Sequence, residues 1–341
     1  MLKRITVNAS VKAISYYLPE NYITNKDLCS IFPDMEEADI FKKTGVKKRH
    51  ITTEGVVGSD LAFFAAEKLF QEHTIDRTTI DFLIFCTEGL DYKGPATACT
   101  LQHRLSLPIH CGAIDLPLGC TGFTYCLSVA KALIESKQAS NVLVLTSDIP
   151  STVIHPDDAD LRIIFGDAGA ATLVTASEEG TTNVGNFSFG TDGSGAENLI
   201  VRRSGTRNAA NADWFKEHEA VGGMKYGRME MNALEIFTFA LRVVPPMIED
   251  ILKKNNLEKN DIDLFVFHQA NGFLLSVLRR KLKIEEEKFF TFMEEVGNTV
   301  SATIPIALYE AIKIGKAKKG DKILLAAFGI GYSWSGTVVT L

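Results

Sequence analysis

The stretch DLPLGCTGFTYCLSVAKALIES, residues 115–136, decides the fold, because a short turn joins its apolar run to a helical pattern. The apolar run ends at Gly119, and from Phe123 onward apolar residues recur at the spacing of one helix face. Cys120 is therefore predicted on a tight strand-to-helix turn, where backbone N–H groups and the helix dipole stabilise a thiolate. A lone cysteine is more commonly a small buried apolar residue. The turn alone leaves both interpretations open.

Composition sets the class of protein. The chain has 341 residues, 46% apolar and 23% charged, with a formal net charge of −6. This is typical of a globular protein with one large core or two fused cores, and it gives no sign of nucleic-acid binding. The six cysteines form no CxxC pair, which argues against structural zinc or a disulfide scaffold and favours a reducing cytoplasm. We expect no signal peptide and no membrane helix, because no apolar run reaches about 18 residues.

The chain repeats one order of elements after about 180 residues. DFLIFCTEG at residues 81–89 resembles DLFVFHQAN at residues 263–271, and GCT at 119–121 with its following helix resembles GNT at 297–299 with its own. The repeat predicts two duplicated halves, residues 1–182 and 183–341, with a polar boundary at SEEGTTNVGN. Alternating apolar runs and helical patterns predict mixed, largely parallel sheets in an α/β layered fold.

The duplication places three polar residues together. Cys120 and Asn298 occupy equivalent positions in the two halves, and His268 ends the apolar strand of the second half. Ligands of α/β folds bind at the carboxyl ends of strands, so we expect these side chains to converge. A buried core histidine and a helix-capping asparagine are the simpler explanations.

Two further stretches bear on ligands. AAFGIGYSWSG, residues 326–336, has two glycines after an apolar strand, but a strand-like run follows it, which argues against a dinucleotide site. Residues 203–227 form the longest stretch without periodicity, which predicts a cover over a substrate pocket.

Four motifs, in this order and spacing, resemble the β-ketoacyl-acyl-carrier-protein synthase III family of the thiolase superfamily. They are DLPLGCTGFTYCLSVA, FVFHQAN, VGNTVSATIP and AAFGIGYSWSG. The resemblance covers about residues 5 to 340 and implies a thiolase fold of five layers, α-β-α-β-α, in a homodimer. It also implies a decarboxylative Claisen condensation that uses thioester substrates and no metal or other cofactor. The implied partners are acyl carrier protein, an acyl-CoA or acyl-carrier donor, and malonyl-carrier protein.

The resemblance assigns the roles residue by residue. Cys120 takes the acyl group from a thioester, and the backbone N–H groups of Cys120 and Ile330 form the oxyanion hole. His268 Nε2–H and the Asn298 amide stabilise the enolate that malonyl thioester forms as carbon dioxide departs. Attack of the enolate on the acyl-cysteine gives a 3-oxoacyl thioester for fatty-acid or polyketide biosynthesis.

The sequence departs from the family in its substrate contacts. The tryptophan and arginine that clamp the adenine of coenzyme A align with Asp39 and Ala159, which leaves open a carrier-bound donor or a differently bound CoA. A partner-subunit phenylalanine that closes the acyl pocket aligns with Gly94, so we expect a primer longer than acetyl unless Tyr92 fills the space. Phe237 and Phe328 are further candidates for the acyl pocket.

Charged residues add two hypotheses. Glu88 ends the strand equivalent to that of His268, and it is either a solvated loop carboxylate or an acid/base near the nucleophile. Arg280 and Lys281 match carrier-docking positions, although Phe273 and Thr238 replace other docking cations of the family. A charge run is also commonly just a solvated face.

Two alternative functions stay open. One is an acyltransferase of the same fold that passes the acyl group to a non-malonyl acceptor. The other is a non-catalytic partner subunit, although such partners lose the nucleophile and Cys120 is present.

Overall fold

The computed structural model describes residues 7–178, 183–202, 204–207 and 227–341. The predicted pocket cover lies almost entirely outside the described residues. The strands are β1 Val7–Tyr17, β2 Tyr22–Thr24, β3 Lys48–His50, β4 Phe82–Cys86, β5 Gly112–Leu116, β6 Asn141–Asp148, β7 Ala168–Glu178, β8 Asn183–Val184, β9 Ser188–Thr191, β10 Leu199–Val201, β11 Met229–Met231, β12 Leu264–Phe267, β13 Phe289–Phe290, β14 Lys322–Gly329 and β15 Ser333–Thr340. The described α-helices are α1 Asn25–Ile31, α2 Glu37–Thr44, α3 Gly58–Glu72, α4 Thr97–Arg104, α5 Gly122–Glu135, α6 Ala159–Arg162, α7 Ala233–Lys254, α8 Gly272–Lys281 and α9 Thr303–Lys313.

Two sheets have the same internal order. The first runs β1-β7-β6-β4-β5, and the second runs β8-β15-β14-β12-β13, with β9 also paired to β15. In each sheet the three strands β6-β4-β5 or β14-β12-β13 are parallel, and the remaining neighbours are antiparallel. The first sheet uses residues before 179 and the second uses residues after 182, so the predicted division falls in the undescribed segment between them.

A pair of aspartates shows how closely the halves correspond. Asp81 Oδ2 accepts hydrogen bonds from the backbone N–H groups of Ser140 and Asn141, at the start of β6. Asp263 Oδ2 accepts one from the backbone N–H of Lys322, at the start of β14. The same carboxylate therefore anchors the same pair of parallel strands in each half.

Strand alternation builds five layers, because successive side chains point to opposite faces of a sheet. In β4, Leu83 and Phe85 pack in the cluster under α3 and α4, whereas Ile84 and Cys86 face the centre. In β14, Leu324 and Phe328 pack beneath α7 and α8. The central layer consists of α5 and α9, which both sheets cover. The predicted α-β-α-β-α thiolase fold is thereby confirmed.

Local differences from the sequence prediction have simple causes. Residues 25–44 have a helical pattern, but the structure divides them into α1 and α2, which residues 32–36 separate. Pro33 lies in this gap, and proline lacks the N–H that a continuous helix requires. Among the described helices, none combines the length and apolarity needed to cross a membrane.

Candidate active site

The turn between β5 and α5 carries Cys120, as predicted, and glycines allow its close packing. A Cβ atom on Gly122 would lie 2.2 Å from the Cys86 sulfur, so a larger residue cannot begin α5 there. A Cβ atom on Gly329, at the end of β14, would lie 2.6 Å from Cys120 Sγ. The second half therefore reaches the nucleophile through a position that has no side chain.

Burial opposes the thiolate that the helix N-terminus favours at Cys120. Cys120 is buried, and loss of solvent raises the pKa of its thiol to about 12. The Glu88 carboxylate adds to this increase, and the backbone N–H groups of Ile330 and Cys120, which contact the sulfur, oppose it. Burial outweighs the helix N-terminus, so the nucleophile rests as a thiol.

His268 follows β12 and lies 1% exposed. Its backbone N–H donates to the Ala326 carbonyl at 2.8 Å, and its Nδ1 lies 2.7 Å from Thr303 Oγ1. The Phe328 ring packs edge-on against the imidazole, with 5.9 Å between ring centroids. Burial lowers the pKa of His268 to about 3, so the ring is neutral at physiological pH.

Asn298 is held on both sides of its amide. Its Oδ1 accepts from the Val300 backbone N–H at 3.0 Å, and its Nδ2 donates to the Ala270 carbonyl at 3.2 Å. The backbone N–H of Asn298 donates to the Ile164 carbonyl at 2.9 Å. Asn298 therefore fixes the turn before the helix but does not cap the helix, since Thr299 and Ala302 occupy the N-cap positions of the two helical segments that follow. Its Nδ2 retains a second N–H to offer a ligand.

A cavity of about 410 Å³ is lined in part by Cys120, His268 and Asn298. The rest of its lining is mainly apolar and includes Ile164, Phe165, Leu199, Met231, Ala233, Leu234, Ile236, Phe237, Phe273, Leu274 and Phe328. Such a cavity suits an apolar chain whose reactive end meets a few polar groups.

The four pocket candidates separate into two groups. Phe237 and Phe328 line the cavity, and Phe237 stacks on Phe273 with 5.8 Å between ring centroids. Gly94 and Tyr92 do not line it, because both lie in the exposed loop 88–96 that follows β4. Within one chain, the structure does not bring these two residues to Cys120.

Glu88 lies beside the nucleophile. A Cβ atom on Gly119, the residue before Cys120, would lie 2.3 Å from Glu88 Oε1. Glu88 is exposed in the single chain, but its carboxyl group lies against the backbone of the nucleophile turn and loses part of its solvation there. This desolvation, with the nearby Asp148 carboxylate as the second cause, raises the pKa of Glu88.

Asp148, at the end of β6, connects Glu88 to the second half. Its Oδ1 accepts from the Glu88 backbone N–H at 2.8 Å, and its Oδ2 accepts from the Ser301 backbone N–H at 3.1 Å and from the Ser301 hydroxyl. Burial raises the pKa of Asp148 despite these hydrogen bonds. An acidic residue that ends an apolar strand is the sequence signal that could have identified it.

The predicted docking residues lie apart from the chemistry. Arg280 and Lys281 are exposed on the last turn of α8, whose opposite end carries the cavity-lining Phe273. Near the cavity entrance, Lys43 and Asp160 form an exposed ion pair at 2.7 Å.

Comparisons with known proteins identify the family of this chain. Residues 114–193 match the family model for 3-oxoacyl-[acyl-carrier-protein] synthase III, and residues 252–341 match the model for its C-terminal part. A β-ketoacyl-[acyl-carrier-protein] synthase III of Koribacter versatilis is 33% identical over 97% of each chain. A solved 3-oxoacyl-(acyl-carrier-protein) synthase III has a TM-score of 0.93 and 42% identity, over 98% of this chain and 100% of that one.

A solved priming β-ketosynthase of the R1128 polyketide pathway is 26% identical, with a TM-score of 0.87 over 100% of this chain and 99% of its own. The predicted family is thus confirmed, and so is the predicted enzyme class, acyltransferase. The chain belongs to the β-ketoacyl-acyl-carrier-protein synthase III family of condensing enzymes.

Proposed function

We propose that this protein transfers an acyl group from a thioester to Cys120 and condenses it with malonyl-acyl carrier protein. The convergence of Cys120, His268 and Asn298 on one largely apolar cavity carries this proposal. The relatives named above act, by their names, as acyl-carrier-protein synthases. The reaction needs two thioesters, and its chemistry calls for no metal or nicotinamide.

Acyl loading begins with a thiol. Cys120 Sγ attacks the thioester carbonyl, and the backbone N–H groups of Cys120 and Ile330 are positioned to stabilise the oxyanion. The thiol proton must leave Cys120 and reach the departing thiolate. We assign Glu88 to carry it, because its carboxylate lies against the nucleophile turn and its raised pKa suits proton exchange near neutral pH.

Condensation uses the second half of the chain. The neutral His268 and the Asn298 amide offer N–H donors to the malonyl thioester oxygen, where charge develops as carbon dioxide departs. The enolate carbon then attacks the acyl-cysteine, and the carbon–sulfur bond breaks to leave the Cys120 thiolate. One proton from solvent must reach this sulfur in each cycle, because the original thiol proton left with the departing thiol, and Glu88 is positioned to take up that proton and pass it on.

The assembly is part of the proposal. The strand β5 lies at the edge of the first sheet, and all five of its residues are half-buried. We propose that β5 of a second copy pairs there and forms a homodimer, which places loop 88–96 with Gly94 and Tyr92 at the subunit boundary. Light scattering should then give a molecular mass twice that of a single chain. All six cysteines lie among the described residues and none forms a disulfide, in keeping with a reducing cytoplasm.

Mass spectrometry tests the function directly. Incubation with acyl-CoA and acyl-carrier donors of increasing chain length should give an acyl adduct on Cys120, with donors longer than acetyl preferred. Malonyl-carrier protein should then discharge the adduct with release of carbon dioxide. An adduct that an amine or alcohol discharges but malonyl-carrier does not would favour the acyltransferase alternative. A protein that forms no adduct with any donor would instead be a non-catalytic partner.

A further inference from the structure

The Thr303 hydroxyl lies between a histidine ring nitrogen and a backbone carbonyl oxygen beside the active site. Thr303 begins α9 and is buried, with its Oγ1 2.7 Å from His268 Nδ1 and 3.0 Å from the Val300 carbonyl oxygen. A hydroxyl carries one proton, so it donates to one of these atoms at a time. If it donates to His268 Nδ1, the ring proton must lie on Nε2. If it donates to the Val300 carbonyl, Nδ1 can carry the ring proton and donate to Oγ1.

The surroundings favour donation to the histidine. The Val300 carbonyl already accepts the backbone N–H of Thr303, so it does not depend on the hydroxyl. His268 Nδ1 has no other hydrogen-bond partner within the described part of the chain, and its contact with Oγ1 is the shorter of the two. The ring itself is neutral, because burial lowers the pKa of His268 to about 3, and it therefore holds a single N–H.

We propose that Thr303 is a positioning residue that donates its hydroxyl proton to His268 Nδ1 and thereby keeps the ring proton on Nε2. In this tautomer Nε2–H is a hydrogen-bond donor into the cavity, and His268 cannot take the Cys120 proton through Nε2. The role in turnover rests on the proposed condensation, whereas the tautomer is a property of the resting protein.

Nitrogen-15 NMR of protein labelled at histidine tests the tautomer without any substrate. The His268 signals are identified by their loss in His268→Asn, since the chain has seven histidines. We expect a protonated Nε2 and an unprotonated Nδ1 across the range where the fold is intact. An unprotonated Nε2 would overturn the assignment, because Thr303 would then donate to Val300 instead.

Variants at Thr303 test the consequence. Thr303→Val removes the hydroxyl at nearly constant shape, and we expect decarboxylation of malonyl thioester to slow by about 10- to 100-fold, since the His268 donor loses its fixed orientation. Acyl transfer to Cys120 should stay within about 2-fold, because Thr303 contacts neither the thiol nor its backbone donors. Thr303→Ser, which keeps the hydroxyl, should restore decarboxylation to within about 3-fold of wild type.

Thr299→Val is the matched control, because the Thr299 hydroxyl is buried in the same segment with no hydrogen-bond partner among the described residues. This control should leave both half-reactions unchanged. Decarboxylation at the wild-type rate in folded Thr303→Val would contradict the proposal, and so would an equal loss in Thr303→Ser. A wild-type protein that never decarboxylates malonyl thioester would defeat the proposed function alone, while the NMR result would still judge the role of Thr303.

Discussion

The two halves of the molecule share one topology and treat protons in opposite ways. At the strand end of the first half, loss of solvation raises the pKa values of Glu88, Asp148 and Cys120, so these groups bind a proton more readily than they would in water. At the equivalent strand end of the second half, burial lowers the pKa of His268, and Asn298 does not titrate at all. The first half can therefore store and exchange a proton, and the second half presents uncharged donors.

This difference explains how one cavity serves two steps. Acyl loading needs a proton moved from a thiol, whereas decarboxylation needs donors that stabilise an enolate without protonating it first. The two halves bring Cys120, His268 and Asn298 to one cavity, and Glu88 lies against the turn that carries Cys120. The comparison predicts that a substitution in one half can abolish its own step, acyl loading or decarboxylation, and leave the other step intact.

The largest effect should follow removal of the donors in the second half. We expect His268→Ala and Asn298→Ala each to slow malonyl decarboxylation by about 100- to 1000-fold, the usual cost of one lost oxyanion donor. Acylation of Cys120, followed by mass spectrometry, should survive in both variants. Conversely, Cys120→Ala should form no adduct and still decarboxylate. Loss of both half-reactions in every variant would refute the assignment of acylation to the first half and decarboxylation to the second.

The next largest effect should follow a substitution at Gly329, where the second half contacts Cys120. Gly329→Ala puts a methyl group about 2.6 Å from Cys120 Sγ, so the sulfur must shift. Because a misplacement of about 1 Å can cost about 100-fold, we expect acylation to fall by that amount, with decarboxylation much less affected. Gly193→Ala is the control, since its Cβ has no atom within 4 Å among the described residues. Equal acylation rates in the two variants would show that Gly329 is not needed for this approach.

Much of this arrangement could be predicted from the sequence. The strand-to-helix turn, the duplication and the strand ends carry their own local patterns, and motif resemblance connects Cys120 with His268 and Asn298. The raised pKa of Cys120 could not be predicted, because a helix N-terminus is a local feature, whereas burial and the approach of Glu88 depend on the whole fold. The roles of Thr303 and Asp148 could not be predicted for a similar reason, because their partners are distant in sequence and their residue types are common on turns.

Glu88→Gln should distinguish two roles of Glu88: repulsion of a negative charge on Cys120, and transfer of the Cys120 proton. Loss of the carboxylate lowers the Cys120 pKa, so alkylation of the thiol should shift to lower pH. If Glu88 carries the proton, acylation should nevertheless slow by about 10- to 100-fold near neutral pH. Acylation as fast as wild type, or faster, would leave Glu88 with a repulsive role only.

The raised pKa of Glu88 also predicts a change in stability with pH. A carboxyl group whose folded pKa is raised stabilises the fold fully below its unfolded pKa, and that stabilisation is lost as pH rises through the folded pKa. The contribution of Glu88 to the free energy of unfolding should therefore fall across this window. Chemical denaturation should show a shallower fall in Glu88→Gln, and identical slopes would mean that the Glu88 pKa is not raised.

The smallest effect concerns the helices that follow the two equivalent strand ends. In the first half, Arg104 at the end of α4 pairs with Asp60 at 2.8 Å, whereas Arg280 and Lys281 at the end of α8 form no ion pair within the described chain. Exposed charges that lack an internal partner are available to an acidic carrier protein. Replacing both with alanine should raise KM for malonyl-carrier protein about 3- to 10-fold at low salt and leave kcat unchanged, since each exposed pair contributes about 0.2–1 kcal/mol.

The effect should shrink at high salt and vanish with malonyl-CoA, which lacks the carrier surface. Lys318→Ala with Lys319→Ala, two exposed cations on the turn before β14, gives the matched loss of charge elsewhere. An equal rise in KM from both double variants would mean that net charge, rather than the end of α8, attracts the carrier. In that case the helices after the two strand ends would be equivalent in function, and the difference between the halves would be confined to the cavity.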